Sequence, residues 1–235
     1  MTIVTTETSV NGPKKRGRPA RINRRQVVGA AVDLARDVGL ENVQMATVAE
    51  RLGVRPSALN YHVVDRQELL EAAANELADL RFPDGWKPSP RADWRTWIRA
   101  YATAFRAMLL AQPQLAPYIK LGPDKAASLE DVDEFLGVLD RAGFDPAFIA
   151  TGTTFIGQTV VMNVQDELMA RAAGGHPQMA ELTHLFDGVP ADVLPNIRKY
   201  VASGVYTNSD GLFEFAVDCI VAGFEAQLPR KQRRR

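Results

Sequence analysis

Between Met45 and Leu70 a short set of helix-spaced apolar residues (Met45, Val48, Ala49, Leu52) is closed by Gly53. A second set (Ala58, Leu59, His62) follows at once, then Asp65 and the pair Leu69–Leu70. Two such short helices cannot bury their apolar faces alone. Joined by a glycine turn, they form a helix-turn-helix and pack against further helices. Ala49 is small where the two must approach closely, and Gly53 permits the left-handed backbone of a tight turn. Upstream, Asn23 is a good N-cap for a helix whose stripe is Val27, Ala31, Leu34, Ala35 and Val38, ended by Gly39. The third helix is expected from Arg55 to Val63. Asp65 caps a fourth, with Glu68 three residues on completing a capping box.

With Val48, Leu52, Val54, Ala58, Leu59 and His62 turned inward, Arg55, Pro56, Ser57, Asn60 and Tyr61 are left on the outer face of the second helix of the motif. Such a face enters a major groove with its N-terminal residues nearest the bases. Asn60 suits a bidentate bond to adenine and Arg55 one to guanine, each worth roughly 1–3 kcal/mol of discrimination. Thr47 completes the DNA-facing set expected from the residues of this region.

Charge distribution points the same way. The 28 basic and 28 acidic residues cancel. Residues 1–25 nevertheless hold seven Lys/Arg against Glu7, and residues 230–235 hold five, so the +6 and +5 ends leave −11 between them. One end is arranged to meet a polyanion that the middle avoids. Residues 1–21 lack apolar periodicity and form a flexible basic arm. Its Arg16-Gly17-Arg18-Pro19 is similar to the core of an AT-hook, with Arg18 placed for an A·T-rich minor groove. A solvated tail explains those four residues as well. For residues 230–235 the solvated tail is the preferred reading.

The quoted residues resemble the tetracycline-repressor (TetR) family of bacterial transcription regulators. The likeness runs from about Asn23 to Ala74: a helix ending in Gly39, then Val-Ala-x-x-Leu-Gly-Val, Leu-x-x-His-Val and Asp-Arg-x-x-Leu-Leu. It implies that Arg66 stands where the family places a phosphate-gripping Lys. Gln44 replaces the usual Thr opening the second helix, Arg55 the capping Ser, and Ser57-Ala58-Leu59-Asn60 the Gly-Thr-Leu-Tyr run, with Tyr61 one place late. Operator preference therefore does not carry over.

Beyond residue 80 the likeness is one of layout. It implies a helical domain that binds a small ligand and dimerises. The break Arg81–Pro90 (Arg-Phe-Pro-Asp-Gly-Trp-Lys-Pro-Ser-Pro) sets the expected boundaries: arm 1–21, DNA-binding domain 22–80, ligand and dimer domain 81–229, basic tail 230–235. Helices are expected from Ser89-Pro90 to Pro113, near Gln114–Leu121, over Asp124–Ala142, from Pro146 to Gly174-Gly175, around Met179–Phe186 and Ala191–Val201, and near Asp210–Leu228. With no period-2 strand of useful length, the chain is expected to be all-α, a three-helix helix-turn-helix domain plus a larger helical domain.

Trp97, Tyr101 and Phe105 on one helix, and Phe155, Gln158 and Met162 on another, are the candidate ligand-binding residues, although core packing accounts for each singly. The stretch Pro146–Gln165 has no charge but too many Thr, Gln and Asn for lipid. It and the last helix (Phe213, Phe215, Val217, Ile220, Phe224) are expected dimer surfaces. Cys219, the one cysteine, reads as a buried apolar residue and excludes an internal disulfide. The run Glu130–Glu134 reads as a solvated helical face. His184 and Asp187 are too few for a metal site. No cofactor is expected, and no G-x-S-x-G, Walker loop or H-E-x-x-H suggests an enzyme. Met1–Val10 has no signal-peptide core, so the cytoplasm is the expected compartment.

The expected function is a ligand-responsive regulator, a homodimeric repressor that binds a palindromic DNA operator and is released by a small molecule. The alternative is an architectural, A·T-preferring DNA binder without an effector.

Overall fold

Asn23 opens the first helix, α1 (Arg24–Val38), through a reciprocal capping box in which it accepts from the Gln26 N–H and the Gln26 side chain accepts from its own. The computed structural model describes residues 22–79, 81–119, 129–176, 181–182, 184–186, 189–190, 192–204 and 208–228. Regular elements among them are all helical. Arg18, the basic arm, Asp187 and the basic tail lie outside the described residues.

Gly39 (φ 86°) ends α1, a 3-10 turn (Leu40–Asn42) follows, and α2 (Met45–Arg51) leads through Gly53 (φ 65°) to α3 (Pro56–Leu59) and α4 (Arg66–Leu77). The single helical turn of α3 is shorter than expected. Pro56 starts it with a pre-set φ, while Arg55 makes no side-chain cap bond to lengthen it. Val27 and Ala31 of α1, Val48 and Ala49 of α2, Leu59 of α3 and Leu69, Leu70 and Ala73 of α4 are all fully buried together. At the start of α4 the Asp65 carboxylate accepts from Glu68 N–H (2.8 Å). Glu68 accepts from Val64 N–H (2.6 Å), one residue beyond the cap it was expected to reach.

The larger layer comprises α5 (Trp94–Leu110), α6 (Leu129–Arg141), α7 (Pro146–Ala172), α8 (Pro195–Ala202) and α9 (Ser209–Gln227). Helix α5 starts at Trp94, not Ser89, because the Asp93 carboxylate takes the Thr96 N–H (3.0 Å). The helix expected near Gln114–Leu121 is only a 3-10 turn (Ala116–Tyr118), since Pro113 and Pro117 each remove a backbone donor. Helix α5 packs on α6, α7 and α9, and α7 packs on α9. At that last crossing Gly152 lets α7 approach closely, because an added Cβ would lie 2.4 Å from the Phe224 ring.

A charged node joins these helices. Arg106 of α5 donates to the buried Glu167 of α7 (2.7 Å) and to Asp210 of α9 (2.6 Å), and lies over the Phe213 ring at 4.8 Å. Arg171 also pairs with Glu167. The two layers meet where α4 touches the 3-10 turn Ala116–Tyr118. There Asp79 N–H donates to Gln112 Oε1 (2.8 Å), and Gln112 Nε2 donates back to the Asp79 carbonyl (2.7 Å). The apolar core runs on through this junction.

Candidate nucleic-acid interface and effector domain

The helix-turn-helix holds the expected outer face in place. Leu59 (0% exposed) and Val63 (2%) anchor the recognition segment from within, and Val48 and Ala49 support it. That leaves Arg55, Pro56, Ser57, Asn60 and Tyr61 in solvent, Tyr61 at 88% exposure. Leu52, Val54, Ala58 and His62 turn inward but stay half-buried. Thr47, in the first turn of α2, is exposed beside them.

Arg24 was legible only as one more positive charge, yet it positions this face. Its guanidinium donates to the His62 carbonyl (2.7 Å) and to the Glu68 carboxylate (2.7 Å), tying the start of α1 to the end of the recognition segment. Both bonds cross long stretches of sequence, so local pattern carries no sign of them. Arg66 also has a second task. Its guanidinium is half-buried and donates to the carbonyls of Val43 (2.8 Å) and Glu41, bracing α4 against the loop before α2. Those bonds use part of the donor fork that a phosphate would take.

In the second layer the six expected ligand residues do not converge. Trp97 (1% exposed) and Phe105 (3%) are buried, and Tyr101 is mostly so. Phe155 (56%), Gln158 and Met162 (69%) lie on the solvent side of α7. The helical period accounts for the difference: Gly152, Ile156, Val160 and Val164 recur every four residues and face the core, which turns 155, 158 and 162 away. Cys219 is exposed too, contrary to expectation, because α9 turns Phe213, Val217, Ile220, Val221 and Phe224 inward. Along the outer faces of α7 and α9, Met162, Met169 and Leu212 line an open groove of about 430 Å³ together with Asn163, Gln165 and Asp166.

Around Trp97 and Tyr101 the chain instead builds an aromatic cluster. Tyr101 stacks on Phe135 of α6 (4.4 Å, 12° between planes), and burial pushes its phenol pKa up. Trp86, from the segment joining the layers, stands edge-on to Trp97 at 5.9 Å. The Trp97 indole N–H is buried without a hydrogen-bond partner. An unpaired buried donor costs about 1–3 kcal/mol. Nearby, Lys87 reaches Asp131 and Glu134 (2.7 Å each), which hold its ammonium pKa well above the usual lysine value. Two members of the acidic run expected to be only a solvated face thus fasten a distant loop. His184 lies at the surface.

Residues 27–73 match the model for bacterial regulatory proteins of the tetR family, and residues 87–228 match the tetracyclin repressor-like C-terminal domain. The chain belongs to the TetR family. It is similar to the tetracycline repressor protein class C of Escherichia coli, 30% identical over 206 residues, which span 87% of this chain and 91% of that one. The class A tetracycline repressor from transposon 1721 in E. coli is 31% identical over 204 residues, covering 84% and 88%. A solved TetR-family regulator from Streptomyces coelicolor A3(2) is 27% identical and superposes with a TM-score of 0.57 over 87% of this chain and 99% of that one. Apo ActR from S. coelicolor, at 21% identity, shares the fold with a TM-score of 0.58 over 88% and 98%. As a TetR-family member the protein is a DNA-binding transcription regulator with an N-terminal helix-turn-helix and a larger C-terminal helical domain.

Proposed function

We propose that the protein is a homodimeric repressor that grips a palindromic operator and lets go when a small molecule binds its C-terminal domain. The observation that carries this reading is the recognition face from Arg55 to Tyr61, anchored on a buried core and joined through α4 to the second layer at the Asp79–Gln112 pair. Asn60 and Arg55 read bases. Ser57, Tyr61, Thr47 and the free part of the Arg66 fork meet phosphates, Pro56 sets the start of the helix, and the arm with Arg18 adds salt-dependent affinity. The exposed apolar side chains of α7 and α9, Phe155, Met162, Leu212 and Phe215, fit a four-helix interface with a second copy. On this reading Phe155, Gln158 and Met162 belong to that interface rather than to the effector site. Trp97, Tyr101 and Phe105 remain on the effector side.

A dimer sets its two recognition helices roughly 34 Å apart, one turn of DNA. An effector that binds better to another head spacing shifts the population away from the DNA-competent form. The chain then works in the cytoplasm beside the genome. Relatives named tetracycline repressors make a fused-ring molecule the natural class to test first as effector.

The test is to incubate the protein with fragmented DNA from its source genome and sequence what it retains. A few sites sharing an inverted repeat are expected. Diffuse recovery of A·T-rich DNA would replace this reading with the architectural one, and no recovery would reject both.

A further inference from the structure

The chain enters the first layer beside the DNA-facing residues. Ile22 packs half-buried on the core and Asn23 caps α1, so the point where the basic arm joins the head is fixed. Arg24 donates to the His62 carbonyl and to Glu68 (2.7 Å each), holding the start of α1 against the end of the recognition segment, next to the exposed Tyr61. From Lys14 to Arg25 seven of twelve residues are basic and none is acidic. Arg18 precedes Asn23 by five residues, a span of roughly 17 Å when extended. Half a turn of DNA, which separates a major groove from the minor groove beside it, is also roughly 17 Å.

We propose, on the operator-binding reading above, that Arg16 and Arg18 enter the minor groove adjoining each half-site and select A·T pairs there. The operator then carries sequence information beyond the bases that Arg55 and Asn60 read. What the arm recognises is the narrow A·T minor groove of the same DNA molecule.

The residue types suit that groove. A·T pairs make it narrow and strongly negative, whereas G·C pairs place an amino group on its floor. A guanidinium is flat and less tightly hydrated than an ammonium group, so it enters a narrow groove at lower cost. Gly17, between the two arginines, has no Cβ to hold the backbone off the floor. A residue before proline, as Arg18 is, favours the extended backbone that follows a groove. Lys14, Lys15 and Arg21 flank this tetrapeptide and supply phosphate contacts that raise affinity on any sequence.

The test uses duplexes built on one operator recovered by the genomic selection. The half-sites stay constant. The base pairs beside them, on the inner and outer sides in separate duplexes, are set to A·T, to G·C or to inosine·cytosine. Inosine lacks the guanine amino group, so its pair looks like A·T in the minor groove and like G·C in the major groove. Full-length wild type, Arg18→Lys and Arg18→Ala are compared by fluorescence anisotropy at fixed salt. On one side of the half-site, wild type is expected to bind the A·T and inosine·cytosine duplexes alike and the G·C duplex about ten-fold more weakly. Arg18→Lys keeps the charge, so it removes most of that preference while leaving affinity for the G·C duplex near wild type, which also shows that the head is folded. Arg18→Ala removes the preference and weakens binding to all three. Equal wild-type affinity for the three duplexes on both sides overturns the proposal and leaves the operator-binding reading standing. So does an A·T preference that inosine·cytosine fails to restore, or one that survives Arg18→Ala. A chain that binds no defined operator overturns the broader reading, and this one with it.

Discussion

The helix-turn-helix layer and the helical layer behind it are built from similar apolar stripes, yet they announce their roles very differently. In the first, short helices force a division of labour. Most residues of the α2–α3 unit either anchor it, like Val48 and Leu59, or face out, like Asn60 and Tyr61. In the second, α7 is 27 residues long, and its outer side mixes Phe155, Met162 and Met169 with Thr151, Thr154 and Gln158. One of its faces packs on α5 and α9, and the other leaves Phe155 and Met162 in solvent. A stripe reveals what a helix hides only when its other side is polar.

The largest expected effect breaks the first layer and leaves the second standing. Leu59→Ala empties a fully buried site, at a cost of about 2–5 kcal/mol. Amide protection across α1–α4 and all specific DNA binding should collapse while protection in α5 and α7 persists. Equal loss in both layers would show that they fold as one unit. The complementary change is Gly152→Val, which drives a side chain into the Phe224 ring and costs about 1–3 kcal/mol of packing between α7 and α9. Sedimentation should then show weakened self-association with the recognition face still folded.

Within the recognition face, Asn60→Ala should lower operator affinity by about 1–3 kcal/mol and leave random-sequence DNA nearly unaffected, measured by competition at fixed salt. A uniform loss would make Asn60 a backbone contact. The smallest effect is expected from Arg66→Lys. The positive charge stays, but the forked contact to Val43 and Glu41 is lost, lowering stability in denaturant by about 1 kcal/mol with little change in random-DNA binding.

Legibility followed the range of the interactions. The Asn23 cap, the endings at Gly39 and Gly53 and the Asp65 cap depend on neighbours within four residues, and all were readable in the sequence. Boundaries that depend on competing local signals were harder. Both Ser89 and Asp93 offer a cap, and only Asp93 takes the N–H that starts α5. Long-range features left no local trace. Arg24 on His62, Lys87 on Asp131 and Arg106 on Glu167 are 38, 44 and 61 residues apart. For the same reason the candidate ligand residues were drawn from two helix faces that point apart, since apolar content cannot tell a core, a pocket and a subunit interface from one another.

Nuclease footprinting of the wild-type chain on a recovered genomic site tests the central claim most directly. Two protected half-sites related by a two-fold axis and one DNA turn apart are predicted, with protection lost together on adding the effector. A single protected half-site, or protection spread evenly along A·T-rich sequence, would contradict it.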